Sequence, residues 1–146
     1  MTATVFVDSN VLVYHRDASE NEKQPQAEVW LRALWKDRAA RISYQVLYEY
    51  YVNVTTKLKP GLSTEDAQED VRNLMAWKPL VMDRSVLDGA FAAEKRFRLS
   101  FWDALIVSAA QRAECAYLLS EDLQAGQDLD GVLVVNPFEQ APENVL

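Results

Sequence analysis

Four acidic residues are candidates for a shared site: Asp8, Asp103 and Asp122 near strand ends or helix starts, and Glu49 on a helix. Asp8 follows the β-rich run Val5-Phe6-Val7, and Asp122 comes shortly after Leu118-Leu119. Asp103 sits three residues after Ser100, like the acid of a capping box at the start of an apolar helix. Glu49 lies in the first turns of a helical stretch after Ile42-Ser43, where Gln45, Asn53 and Thr56 share its polar stripe. Gathered carboxylates repel one another, and their ionised forms are stable only with cations nearby. Hard oxygen donors suit Mg²⁺ or Mn²⁺. One His and one Cys supply no zinc cluster. Each acid also has a plain structural role. Asp8 and Asp122 suit turns, Asp103 suits a helix dipole, and Glu49 suits a solvated helix face. Only joint placement makes them a site.

That placement depends on the elements around them. The apolar run at residues 4–7 reads as a buried strand feeding a polar turn. Val11–Tyr14 reads as a short helix and His15–Gln24 as a loop. Pro25 opens a helix to about Arg38, with Ala27, Trp30, Leu31 and Leu34 on one stripe. Arg41–Ser43 reads as a second strand and Gln45–Lys57 as a helix, broken by Lys59-Pro60-Gly61. Ser63-Thr64-Glu65-Asp66 starts a helix that runs to about Trp77. Pro79–Met82 suggests a third strand, and Ser85–Phe97 a helix carrying Val86, Leu87, Ala90, Phe91 and Ala93. In the helix after Ser100, Trp102, Leu105, Ile106 and Ala109 recur with the spacing of a buried face. Tyr117–Leu119 and Val132–Val135 read as the last strands, followed by a polar tail from about 137. Strands alternating with helices predict an α/β fold with a mostly parallel central sheet. Ligands of such sheets bind outside the carboxyl ends of the strands, which gives the acids a place to meet.

The 146 residues suit a single domain spanning 1–146. Hydrophobic residues make up 49% and charged residues 25% of the chain, enough for a core without staples. Cys115, the only cysteine, excludes an intrachain disulfide and reads as a core residue. No signal peptide is evident and no apolar run is long enough to cross a bilayer, so a soluble cytoplasmic protein is expected. The net charge of −7 argues against nonspecific coating of DNA. It does not exclude a nuclease, whose metal site itself contributes acids.

Four segments, in order, resemble one known family. Val5-Phe6-Val7-Asp8-Ser9-Asn10-Val11-Leu12 is similar to the opening motif of PIN-domain ribonucleases. Ser43-Tyr44-Gln45-Val46-Leu47-Tyr48-Glu49 is similar to their second motif, and Ser100-Phe101-Trp102-Asp103-Ala104-Leu105-Ile106 to their third. Leu118-Leu119-Ser120-Glu121-Asp122 resembles the fourth, a hydroxyl residue followed by an acid two positions on. Glu121, Asp128 and Asp130 stand close enough in sequence to compete with Asp122 for that role. The match spans nearly the whole chain, and its size fits the VapC-type toxins of bacterial toxin–antitoxin pairs.

The resemblance implies a PIN-like α/β/α sandwich and metal-dependent endoribonuclease activity that inhibits translation. Asp8, Glu49, Asp103 and Asp122 would hold one or two Mg²⁺ or Mn²⁺ ions, with Asp8 and Asp103 as direct ligands. Ser9, Asn10 and Ser120 would orient the carboxylates, or simply bond within the turns. The four acids supply −4 of the net −7, so two divalent ions would leave about −3. Arg16, Lys57, Lys59, Lys95, Arg96 and Arg98 are candidate contacts to the RNA backbone, with the 95–98 group favoured because it closely precedes Asp103. Tyr14, Tyr44 and Trp102 are candidates for base stacking, although Trp102 reads better as core. The family further implies a homodimer and a cognate antitoxin that lies in the substrate groove. Trp30, Trp35, Tyr48, Tyr50 and Tyr51 could form interfaces or fill the core.

Other readings fit less well. A response-regulator receiver needs paired acids after the first strand and a Lys after the last, and no Lys follows Val135. A haloacid-dehalogenase-type phosphatase needs Asp-x-Asp, and Asn10 occupies its second position. A catalytically silent PIN-fold interaction module remains the alternative of a different class.

Overall fold

The computed structural model describes residues 3–146. Its centre is a parallel sheet with strand order β2-β1-β3-β4, made of β1 (Val5–Val7), β2 (Ala40–Arg41), β3 (Tyr117–Leu119) and β4 (Leu133–Val135). Six α-helices flank it among the described residues, giving the α/β/α sandwich. They are α1 (Ser9–Arg16), α2 (Lys23–Asp37), α3 (Tyr44–Val52), α4 (Thr64–Leu74), α5 (Arg84–Phe97) and α6 (Phe101–Arg112). All three residues of β1 are fully buried, as a central strand of a covered parallel sheet requires. Phe6 aligns with Arg41 on one side and Leu118 on the other. The chain leaves β1 towards β2 and returns on the opposite side as β3. This reversal of direction opens a crevice beyond the carboxyl ends of β1 and β3.

Short polar side chains start most of the helices. Asp8 accepts from the Ser9 N–H, and the hydroxyls of Ser43, Ser63 and Ser100 accept from the N–H three residues on. Asp83 caps α5 in the same way. Helices α5 and α6 pack closely because Gly89 lacks a side chain: a Cβ there would lie 2.4 Å from the Ser108 hydroxyl. That buried hydroxyl donates to the Val86 carbonyl at 2.8 Å. Cys115 is buried in the core, and burial pushes its thiol up to about 11.

Several sequence expectations need correction. The expected third strand at Pro79–Met82 contributes only one parallel bridge, Leu80 to Ser43. Pro79 has no N–H to extend the ladder, and Leu80 N–H to Ile42 at 2.9 Å and Tyr44 N–H to Leu80 at 3.1 Å are what remains. The second strand is Ala40–Arg41 rather than Arg41–Ser43, α1 is longer than Val11–Tyr14, and α2 begins before Pro25. Trp102 is 64% exposed, not core. It shares the helical spacing of Leu105 and Ile106, but burial along α6 begins only at Ala104, after the first turn. On α5 the core takes Val86, Ala90 and Ala93, while Leu87 and Phe91 face outward. Trp30 and Tyr50 are buried, whereas Trp35 and Tyr48 are exposed.

The segment from 137 folds back. Phe138 meets Tyr14 edge-on at 5.1 Å, the Trp30 indole donates to the Gln140 carbonyl at 2.8 Å, and Pro142 is buried.

Candidate active site

Asp8 leaves β1 at its carboxyl end, its own N–H still bonded to the Leu119 carbonyl of β3 at 3.0 Å. The side chain is 5% exposed. Oδ1 accepts from the Ser9 N–H at 2.7 Å, and Oδ2 from the Ser120 hydroxyl at 2.7 Å and the Asn10 amide at 3.3 Å. Ser120 immediately follows β3, so neighbouring strands deliver the acid and its donor to one point. The Asn10 amide also donates to Asp122 Oδ2 at 3.1 Å, and the Asp122 N–H donates to the Ser120 hydroxyl at 3.1 Å. The Asn10 amide thereby bridges the two carboxylates, and the Ser120 hydroxyl ties the Asp8 carboxylate to the Asp122 backbone.

Glu49 joins from α3. Its Oε1 accepts from the Ser9 hydroxyl at 3.0 Å, and its Oε2 from the Gln45 amide at 3.2 Å. The same amide donates to the Trp102 carbonyl at 3.2 Å, tying α3 to the first turn of α6. Asp103 stands in that turn. Asp8, Glu49, Asp103 and Asp122 all line one cavity of about 460 Å³, at the crevice that the strand order creates. Among the described residues, no three acid, His or Cys side chains already form a closed metal cage; the four acids share a cavity rather than a single point.

The electrostatics are those of acids short of cations. Among the described residues, none of the four forms an ion pair with Lys, Arg or His. Burial pushes Asp8 up from the usual carboxylate range to about 7; the Ser120 and Ser9 bonds oppose this, and Glu49 and Asp122 add to it. Asp103 is raised as well, by burial first and by Asp122 in smaller part, against the Ser100 bond.

The competing acids near Asp122 point elsewhere. Glu121 pairs with Lys23 at 2.8 Å and accepts from the Tyr14 hydroxyl at 3.3 Å. Asp130 pairs with Arg96 at 2.7 Å, and Asp128 accepts from the Gly131 N–H within its own turn. Two of the candidate RNA contacts are also engaged, Arg96 in that pair and Arg16 in a two-pronged bond to Asp70 at 2.6 and 2.9 Å. Lys57 instead lines the acid cavity. Sequence reasoning did not separate Lys57 from the other cations and left Gln45 on a polar stripe. Gln45 is buried, and its position four residues before Glu49 was the available signal.

The PIN-domain family model matches residues 5–127. The chain belongs to the PIN-domain family. Solved structures share this PIN fold at low identity. A toxin–antitoxin complex from Klebsiella pneumoniae is 19% identical, with TM-score 0.69, covering 92% of this chain and 98% of that one. FitAcB from Neisseria gonorrhoeae is 16% identical, with TM-score 0.66, covering 94% and 100%. The Mycobacterium tuberculosis VapC20, described as a toxin that cleaves the sarcin-ricin loop, is 17% identical, with TM-score 0.63, covering 82% and 92%. No curated protein matches the sequence. Among the described residues, no helix is long and apolar enough to cross a membrane.

Proposed function

We propose that this PIN domain is a metal-dependent endoribonuclease, the toxin of a bacterial toxin–antitoxin pair that inhibits translation, formed by residues 1–146 as one domain. The observation that carries this is the convergence of four carboxylates, from four separate segments, on one cavity at the carboxyl ends of β1 and β3. The toxin role is supported by structural neighbours that are toxin–antitoxin complexes, and the cleavage reading by one described as a toxin that cleaves the sarcin-ricin loop. A cognate antitoxin, a homodimer and a cytoplasmic setting belong to the same proposal.

The donor set suits a hard divalent cation. The lining acids offer oxygen only, and Asp8 is a buried carboxylate bonded to neutral donors without a counter-charge. Asp8 and Asp103 would hold Mg²⁺ or Mn²⁺, with Glu49 and Asp122 completing the set. When bound, the ion supplies activation of water and neutralises charge on the phosphoryl oxygens. Ser9, Asn10 and Ser120 fix the carboxylate orientations, so little reorganisation is needed when a cation arrives. Gln45 keeps Glu49 in register with the start of α6.

The test uses purified chain stripped of any bound partner. It should cleave RNA with Mg²⁺ or Mn²⁺ and stop on addition of EDTA. Absence of cleavage, together with absence of calorimetric Mn²⁺ binding, would overturn the enzyme and favour the silent interaction module. Expression in a bacterium should be toxic and relieved by the neighbouring reading frame; toxicity unchanged by Asp8→Asn would count against the toxin role.

A further inference from the structure

Lys57 is the only cationic side chain, among the described residues, on the wall of the cavity that holds the four acids. It closes the π-helical turn Asn53–Lys57, which continues α3 without a break. In an α-helix, residues 49, 53 and 57 would drift steadily around the axis, because four residues overshoot each 3.6-residue turn. A π turn closes i→i+5, so four residues fall short of it instead. The two offsets oppose each other, and Lys57 returns to the side of Glu49 and Asn53. All three line the cavity.

The sequence builds this wide turn deliberately. The Leu58 N–H reaches back five residues to the Asn53 carbonyl at 3.0 Å. Side chains bond helix carbonyls along the turn: the Asn53 amide to Glu49 at 2.7 Å, Thr55 to Tyr51 at 2.7 Å and Thr56 to Val52 at 2.5 Å. Gly61 lets the chain close underneath, since a Cβ there would lie 3.1 Å from the carbonyl oxygens of both Val54 and Leu58. The Lys57 ammonium forms no ion pair among the described residues, although four carboxylates line the same cavity.

We propose that Lys57 is the phosphate anchor of the site, binding the non-bridging oxygens of an RNA phosphodiester and holding the strand over the acids. The inference rests on the nuclease reading above and adds a residue to it. A strand entering this cavity meets four carboxylates, and a cation on the wall offsets their repulsion of its phosphates. Lysine suits the task as a compact point charge with three donors. The competing role, a counter-charge for the carboxylates alone, would act on metal affinity and not on RNA.

The experiment compares Lys57→Gln and Lys57→Arg with the parent chain, each also in an Asp8→Asn background that suppresses turnover. Binding of single-stranded RNA is measured against salt concentration with Mg²⁺ present, Mn²⁺ affinity by calorimetry, and kcat and KM in the Asp8 background-free chains. Lys57→Gln should weaken RNA binding and raise KM roughly tenfold. It should also flatten the salt slope by about 0.7, the share of one single-strand phosphate contact. kcat and Mn²⁺ affinity should change little, and Lys57→Arg should restore most of the loss. RNA bound and cut equally well by Lys57→Gln would overturn the anchor and leave the nuclease standing. Tighter Mn²⁺ binding with unchanged RNA binding would assign Lys57 to the carboxylates and also overturn it. Lys57-dependent RNA binding without cleavage by the parent chain would support the anchor while the nuclease reading fails.

Discussion

Asp8 and Asp70 are both carboxylates held by several hydrogen bonds, and the fold treats their charges in opposite ways. Asp70, on α4, receives two bonds from the Arg16 guanidinium and one from the Tyr50 hydroxyl. Burial opposes ionisation there, but the Arg16 and Tyr50 bonds outweigh it and hold the carboxyl below its usual range. The same partnership raises the Arg16 guanidinium above its ordinary value, chiefly through the Asp70 bond. Asp8 receives comparable geometry from neutral donors only, and burial, with smaller contributions from Glu49 and Asp122, outweighs those bonds and pushes it up to about 7. A carboxylate with its own cation is a finished structural contact. One supplied with everything except a cation is finished only when a cation arrives from outside.

The largest expected effect breaks the unfinished side. Asp8→Asn should lower RNA cleavage by at least about 100-fold, since it removes a charge on which cation binding depends. Thermal stability of the metal-free protein above pH 7 should change little, because the loss of a buried charge without an ionic partner is offset by an amide nitrogen that then faces the Ser120 and Asn10 donors. Cleavage by this variant at the parent rate would show that the acids at the sheet edge are not the site.

The next effect is on stability against pH. Asp8 has a folded value near 7, raised above 3.8, so between those limits the unfolded chain has lost a proton that the folded chain keeps. Its contribution is therefore fully present below about 4 and is lost as pH rises to about 7, at a slope of up to about 1.4 kcal/mol per unit. Saturating Mg²⁺ should reverse the trend, because the ion binds the folded, ionised form. Denaturant titrations at several pH values with and without Mg²⁺ check this; curves that are parallel with and without the ion would sink it.

The finished side behaves with the opposite sign. Asp70 is lowered, so its stabilisation is present above the unfolded value near 3.8 and lost as pH falls through the folded value. Asp70→Asn should cost about 1–3 kcal/mol in stability at neutral pH, with one side of the Arg16 bond left unpaired. Cleavage per folded molecule should not change. A loss of kcat without a loss of stability would place Asp70 in the functional machinery instead.

The contrast explains what could be read in the sequence. Three of the four cavity acids close a local pattern: Asp8 follows a strand at a turn, Asp103 follows a hydroxyl cap by three residues, and Asp122 follows a hydroxyl by two; Glu49 sits on a polar helix stripe that alone reads as a solvated face. The sheet was legible where its strands are continuous apolar runs, as in Val5–Val7. Pro79–Met82 looked similar, but an edge position and a missing N–H leave it one bridge. Long-range pairing was not legible. Nothing near Arg16 announces Asp70, 54 residues away, so Arg16 remained a plausible RNA contact. Nor does a helical stripe reveal where the core ends, which is why Trp102 carried the right period and the wrong environment. Lys57 was hidden for a third reason: its direction depends on a π turn, which ordinary helical spacing does not anticipate.

The smallest expected effect concerns two adjacent acids that the sequence could not separate. Asp122 shares the Asn10 amide and the Ser120 hydroxyl with Asp8, whereas Glu121 turns back to Lys23 and Tyr14. The Glu121 N–H still donates to the Asn10 side-chain oxygen Oδ1 at 3.3 Å, so its backbone helps orient the amide while its side chain takes no part. Glu121→Gln should therefore change cleavage less than about threefold, consistent with the modest value of a partly exposed ion pair. Asp122→Asn, one residue on, should lower metal affinity and cleavage together. If Glu121→Gln proved the more damaging of the two, the ligand at the end of β3 would be the acid facing Lys23, and the Asn10 amide would be bridging Asp8 to a bystander.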